Sequence, residues 1–204
     1  MVFATKSRAQ RASYHHGNLE ESLIKAAIKL VRKNGPDHLS LRTAATDIGV
    51  SPSAAYHYFP DKSALLNGIG DYLFSDLANM QEEALAKIKG SSSKAAKARF
   101  RSLGEVYFKW AMKEPNLFRL MFGGFCSVDQ SDSVDHTAYK LLTKTLDELV
   151  LTGAMSKKMR PYGEVISWSS VHGATTLIVE GHMPSEAFES LLDGIEISLG
   201  MSKQ

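Results

Sequence analysis

The sequence predicts an all-α fold in which an N-terminal three-helix domain with a helix-turn-helix is joined by a long helix to a C-terminal helical bundle. Two observations predict it. Apolar residues return at three-and-four spacing along almost every segment, and no segment sustains the period-two alternation of a strand. Glycine and proline clusters then punctuate these segments at helix-length intervals. With 204 residues, 44% of them hydrophobic, the chain can fill one large core or two smaller ones, and disorder as the default state is excluded.

The first helix is expected from about Asn18 to Asn34, with Leu19, Leu23, Ala26, Ala27, Leu30 and Val31 on one face. Asn34-Gly35-Pro36 stops it, because glycine supplies a left-handed cap and proline forbids continuation. Two short segments follow, Leu41 to Ile48 and Pro52 to Tyr58, around a sharp turn at Gly49-Val50-Ser51. Ser51 is a good N-cap, and Pro52 occupies the first helical position, where its missing N–H costs nothing. Leu41, Ala44, Ala45 and Ile48 make the inward face of the first segment, and Val50, Ala55 and Phe59 fix the second against it. Several of Ser53, Ala54, Tyr56, His57 and Tyr58 must then face outward.

Phe59-Pro60-Asp61-Lys62 is another break, after which Leu66, Ile69, Leu73, Leu77, Met80 and Ala84 mark a long helix to about Lys89. Gly90-Ser91-Ser92-Ser93 reads as a surface turn, not a domain boundary. Further helices are expected from about Lys94 to Lys113, Asn116 to Phe122, Val134 to Thr152, Tyr162 to Glu180 and Ser185 to Leu199. The polar, acidic stretch Ser127 to Asp135 has no apolar period and reads as a loop. The organisation expected is a flexible basic arm over 1–17, a helix-turn-helix domain over 18–62, and a larger helical domain over 63–204.

Net charge is only +2, but residues 1–62 carry nine Lys/Arg against five Asp/Glu, whereas the remainder carries fifteen against seventeen. The basic excess lies where it can meet a polyanion. Neither a signal peptide nor a membrane span of roughly 20 apolar residues is visible, so a cytoplasmic protein is expected. The single cysteine, Cys126, can make neither an internal disulfide nor a CxxC pair. It reads as a small buried hydrophobe, with a redox sensor as the alternative. His15-His16 reads as a polar flank, since nothing nearby completes a metal set. No cofactor and no metal are expected.

The stretch LSLRTAATDIGVSPSAAYHYFPDKSALL, from Leu39 to Leu66, resembles the DNA-binding domain of TetR-type transcriptional regulators. Carried over position by position, the resemblance implies base-reading roles for Arg42, Pro52, Ser53, Ala54, Tyr56 and His57. It implies phosphate roles for Ser40, Tyr58 and Lys62. Arg42 is the best match for a guanine, because its planar fork fits the O6 and N7 acceptors. Lys6, Arg8 and Arg11 form an arm that either follows the DNA backbone or enters a minor groove; the alternative is a solvated tail.

YFKWAMKEPNLFRLMFG, from Tyr107 to Gly123, and SWSSVHG, from Ser167 to Gly173, resemble the effector domain of the TetR-type subgroup with a Trp-His-Gly signature. Tyr107, Trp110, Phe118, Met121, Phe122, Phe125, Cys126, Trp168 and His172 are the candidate lining of a ligand pocket, and ordinary core is the alternative for each. The resemblance implies a homodimer through the last two helices, double-stranded operator DNA as partner, and a small-molecule effector of unknown identity. The expectation is thus a ligand-responsive repressor and not an enzyme. The alternatives are a nonspecific architectural DNA-binding protein and a helical enzyme using Cys126 and His172.

Overall fold

In a computed structural model of the chain, residues 16–124 and 137–201 are described, and these contain nine α-helices, two short 3-10 turns and no strand. Lys6, Arg8, Arg11, His15, Phe125, Cys126 and the whole stretch from Ser127 to Asp135 lie outside the described residues. The described chain divides into two compact units.

The first unit holds α1 (His16–Asn34), α2 (Leu41–Asp47), α3 (Pro52–Tyr58), the opening turns of α4 (Lys62–Lys87) and, from further along the chain, α6 (Pro115–Phe122). Leu23, Ala26, Ala27 and Val31 of α1 are buried as its periodicity predicts, and Leu41, Ala44, Ala45, Ala55 and Phe59 meet them in the core. Leu65 and Ile69 of α4 are buried here too. The chain leaves α1 through Gly35 at φ +81°, where only glycine is at ease, and a short 3-10 turn over Pro36–His38 leads to α2. The sequence places α6 in a domain spanning 63–204, whereas the structure groups it with the N-terminal helices. The side-chain amide of Asn116 donates to the carbonyl oxygen of Arg32 at 3.1 Å, satisfying a group that the end of α1 leaves open.

The second unit holds the rest of α4, α5 (Ser93–Lys113), α7 (Thr137–Leu151), α8 (Gly163–Val179) and α9 (Ala187–Ser198). Helix α5 packs on α7 and α8, and α9 packs on α8. Ser92, inside the glycine-serine turn, caps α5 by accepting from the Ala95 N–H at 3.2 Å. A 3-10 turn over Lys157–Tyr162, absent from the sequence expectation, leads into α8 after Ser156 caps its start. Arg99 closes the corner between α4 and α5: its guanidinium donates to the carbonyl oxygens of Ile88 at 2.7 Å and Gly90 at 2.9 Å, and grips the Glu148 carboxylate of α7 through Nε at 2.9 Å. Arg101 of α5 reaches three carboxylates of α9, Glu189 at 2.7 Å, Asp193 at 2.9 Å and Glu196 at 3.0 Å. Among the described residues no helix is long and apolar enough to cross a membrane.

Candidate nucleic-acid interface and pocket

Helices α2 and α3 are each only seven residues long, too short to persist alone, so caps and packing must hold them. Ser40 begins α2 with a reciprocal capping box. Its hydroxyl accepts from the Thr43 N–H at 3.1 Å, and its own N–H donates to Thr43 Oγ1 at 3.2 Å. Ser51 caps α3 by accepting from the Ala54 N–H at 3.2 Å, with Pro52 in the first turn as expected. Gly49, at φ +72°, makes the turn between the two helices. Asp61 caps α4 by accepting from the Ala64 N–H at 2.8 Å, a device the sequence reading passed over.

These caps fix which side chains are left outside. Leu41, Ala44, Ala45, Ala55 and Phe59 point into the core, so Arg42, Pro52, Ser53, Tyr56 and His57 are exposed. Tyr56 shows 48% of its surface although it is a large aromatic. Ala54 and Tyr58 are half-buried, and the Tyr58 ring stands edge-on to that of His57 at 5.6 Å. Lys62 is exposed at the start of α4. Ser40 is half-buried with its hydroxyl already occupied in the capping box, so any phosphate contact there has to share that group.

The second unit contains a pocket with about 650 Å³ of empty space, part of it open to solvent, walled by residues of α4, α5, α7, α8 and α9. Tyr107 and Trp168 line it. His172 and Trp110 do not, and Phe118, Met121 and Phe122 sit on α6 in the other unit. An aromatic-rich run of sequence wraps around its helix, and only the face that carries Phe100, Leu103, Gly104 and Tyr107 turns to the pocket.

Tyr107, Trp168 and His172 nevertheless form one cluster. The Trp168 and His172 rings, four residues apart on α8, stack at 5.6 Å with 10° between their planes. The Tyr107 ring meets Trp168 edge-on at 5.5 Å, and its hydroxyl is hydrogen-bonded to His172 Nδ1 at 2.8 Å. Burial pushes the Tyr107 hydroxyl up from its ordinary pKa and pushes the His172 imidazole down. Both are therefore neutral at neutral pH, and His172 braces the pocket wall from behind.

Two polar side chains that the sequence reading missed also line the pocket, Gln81 of α4 and Ser167 of α8. They are 6% and 4% exposed. The Gln81 amide donates to the Leu103 carbonyl oxygen at 3.2 Å, but neither Gln81 Oε1 nor Ser167 Oγ has a hydrogen-bond partner among the described residues. Both positions lie on apolar stripes, Leu73-Leu77-Gln81 and Ser167-Val171-Ala174-Ile178, and that spacing was the signal that could have found them. Among the described residues no cluster of three or more His, Cys, Asp or Glu side chains could hold a metal ion.

Comparison with known families matches residues 23–69 to the model described as bacterial regulatory proteins, tetR family, and residues 100–195 to the model described as tetracyclin repressor-like, C-terminal domain. Together the two span more than half of the chain. Among solved structures, a protein of unknown function from Rhodococcus sp. RHA1 is similar at 26% identity and TM-score 0.76, over 93% of this chain and 98% of that one. A TetR family transcription regulator from Marinobacter aquaeolei VT8 is similar at 16% identity and TM-score 0.62, over 95% and 98% of the two chains. RolR in complex with resorcinol is similar at 16% identity and TM-score 0.61, over 96% and 92%. The last two likenesses show the fold alone. No curated protein matches the chain.

Proposed function

The chain belongs to the TetR family of bacterial transcription regulators, and from that premise we propose that it is a ligand-responsive repressor acting in the cytoplasm as a homodimer on a near-palindromic operator. One observation carries the DNA-binding assignment: the capped α2-turn-α3 pair buries its small and aliphatic side chains and leaves Arg42, Pro52, Ser53, Tyr56 and His57 exposed. Small residues at the start of α3 allow close approach to a major groove, where Arg42, Tyr56 and His57, with Ala54 beside them, read base edges. Ser40, Tyr58 and Lys62 would hold phosphates, fixing register without reading sequence. Lys6, Arg8 and Arg11 would extend the basic surface along the duplex.

Exposed apolar side chains on α8 and α9 support the dimer. Val165 is 71% and Ile197 60% exposed, and Trp168 and Leu177 are also open. Apolar surface on two neighbouring helices of one unit fits a self-complementary contact with a second copy. A dimer places two recognition helices about 34 to 36 Å apart, one turn of duplex, so each half-site contributes. The pocket supports an effector, and the structural neighbour solved with resorcinol supports a small molecule as its kind. Coupling would run through α4, one continuous helix that contributes Leu65 and Ile69 to the first unit and Phe74, Leu77 and Gln81 to the pocket. To switch occupancy from 1:99 to 99:1 the effector must prefer one state by about 5.5 kcal/mol.

The test is selection of bound sequences from a random DNA pool at about 150 mM salt, followed by sizing of the complex. A near-palindrome bound by a dimer and lost in Arg42→Ala is expected. An absence of sequence enrichment would favour the nonspecific architectural alternative.

A further inference from the structure

Resting on the reading that this chain responds to a ligand, the geometry points to the chemical class of that ligand: an uncharged, largely apolar molecule carrying a hydrogen-bond donor for Gln81 Oε1 and a second polar group for Ser167 Oγ. The polarity of the first contact is fixed. The Leu103 carbonyl oxygen only accepts, so the Gln81 amide must turn its NH₂ toward it, which leaves the oxygen of this pocket-lining residue as the unpartnered acceptor. Ser167 sits in mid-helix, where a serine hydroxyl commonly bonds back to the carbonyl four residues earlier, yet its Oγ has no partner among the described residues. A hydroxyl can serve as donor or acceptor, so the second contact tolerates either sense.

The rest of the lining decides the charge. Among the described residues no Asp, Glu, Lys, Arg or His lines the pocket, and the Tyr107 hydroxyl is already joined to His172. An anion would find no cation and a cation no carboxylate, so either would lose its hydration without compensation. The walls offer Phe74, Phe100, Tyr107 and Trp168 for stacking or edge contact, which favours a flat ring system. Buried groups left unpaired in a closed apolar site are the usual basis for rejecting analogues that lack the matching polar atom.

The test uses four probes on one ring system, 2-naphthol, naphthalene, 2-methoxynaphthalene and 2-naphthoate, titrated calorimetrically into the full-length protein at neutral pH. 2-Naphthol is expected to bind about tenfold or more tightly than naphthalene or 2-methoxynaphthalene, the size of one net hydrogen bond, and 2-naphthoate least of all. In Gln81→Leu the preference for naphthol over methoxynaphthalene should fall to within about twofold, while methoxynaphthalene binding persists and shows that the pocket still forms. Ser167→Ala should weaken naphthol several-fold while the Gln81-dependent preference persists, and unchanged naphthol affinity would remove Ser167 from the assignment. Equal affinity for the three neutral probes, tightest binding of naphthoate, an undiminished preference in Gln81→Leu, or no binding by any probe would overturn the assignment. Release of selected operator DNA by each probe is followed in parallel. Donor-selective binding without release would keep the ligand class and sink ligand-responsive repression; release without donor selectivity would do the reverse.

Discussion

Replacing Tyr107 by Phe removes one hydroxyl and little else. The ring keeps its edge contact with Trp168 at 5.5 Å, so packing is conserved and the loss falls on the 2.8 Å bond to His172 Nδ1. Tyr107 is 2% exposed, so water does not compete for its hydroxyl, and a net contribution of about 0.5–1.5 kcal/mol follows for a neutral pair. His172 is only half-buried, so the nitrogen that loses this bond can be partly rehydrated, which puts the whole cost near the lower end of the ~1–3 kcal/mol range for a buried group left unpaired. The expected loss is about 1–1.5 kcal/mol, close to tenfold in the folded-to-unfolded ratio. With a urea slope of about 2–3 kcal/mol/M, the midpoint should drop by roughly 0.5 M at pH 8. Protein concentration must be held equal, because self-association adds to apparent stability. A double-mutant cycle with His172→Phe isolates the pair, and a coupling below about 0.3 kcal/mol would refute the reasoning.

The acid limb of stability should carry a contribution from His172. Burial depresses its folded pKa below the unfolded value near 6.5, so its share of stability is complete above that value and is lost as pH falls through the folded pKa; His172→Gln should flatten that part of the urea-midpoint profile. Arg101 faces Glu189, Asp193 and Glu196 together; burial opposes its charge, but these three carboxylates hold its pKa above the ordinary arginine value. Arg101→Ala should leave α9 with a like-charged row and cost about 1 kcal/mol by urea unfolding, discounted for the exposure of Glu189 and Asp193, with the difference shrinking in 1 M salt. A Cβ at Gly163 would lie 2.9 Å from both methyl carbons of the fully buried Leu146. Gly163→Ala should destabilise by about 1–3 kcal/mol in a urea melt, and Leu146→Val should recover part of that loss in the double variant. Ile197→Asp, an exposed position on α9, should leave the urea midpoint of dilute protein nearly unchanged while sedimentation shows a shift toward monomer.

Most helices were legible because their ends are written in local chemistry. Helix α3 starts at Pro52 and ends at Tyr58, as the sequence predicts, because the Ser51 hydroxyl and the proline ring act within one turn of the chain. Gly35 and Gly49 announce their turns by the same kind of local necessity, a positive φ. The 3-10 turn over Lys157–Tyr162 was not legible, since it depends on where Ser156 finds a backbone N–H after the chain has reversed at Gly153. Placement of α6 was not legible either. The bond from Asn116 to the end of α1 joins residues 84 positions apart, and no local pattern encodes it. Around the pocket, aromatic content singled out Tyr107 and Trp168, which line it, together with Phe118, Met121 and Phe122, which lie in the other unit. Gln81 and Ser167 were passed over because a polar residue in an amphipathic helix is ordinarily read as facing water.

Arg99 gives the far end of α4 a particular mechanical character. Helix ends ordinarily fray, because their last carbonyls have no partner within the helix, and a frayed turn yields when pushed. Here the carbonyls of Ile88 and Gly90, in the turn that directly follows α4, are tied to one guanidinium that is itself moored to Glu148 of α7. The exit of α4 is therefore held against fraying. Phe74, Leu77 and Gln81, the part of the pocket wall that α4 supplies, stand on the stretch of helix that this clasp steadies.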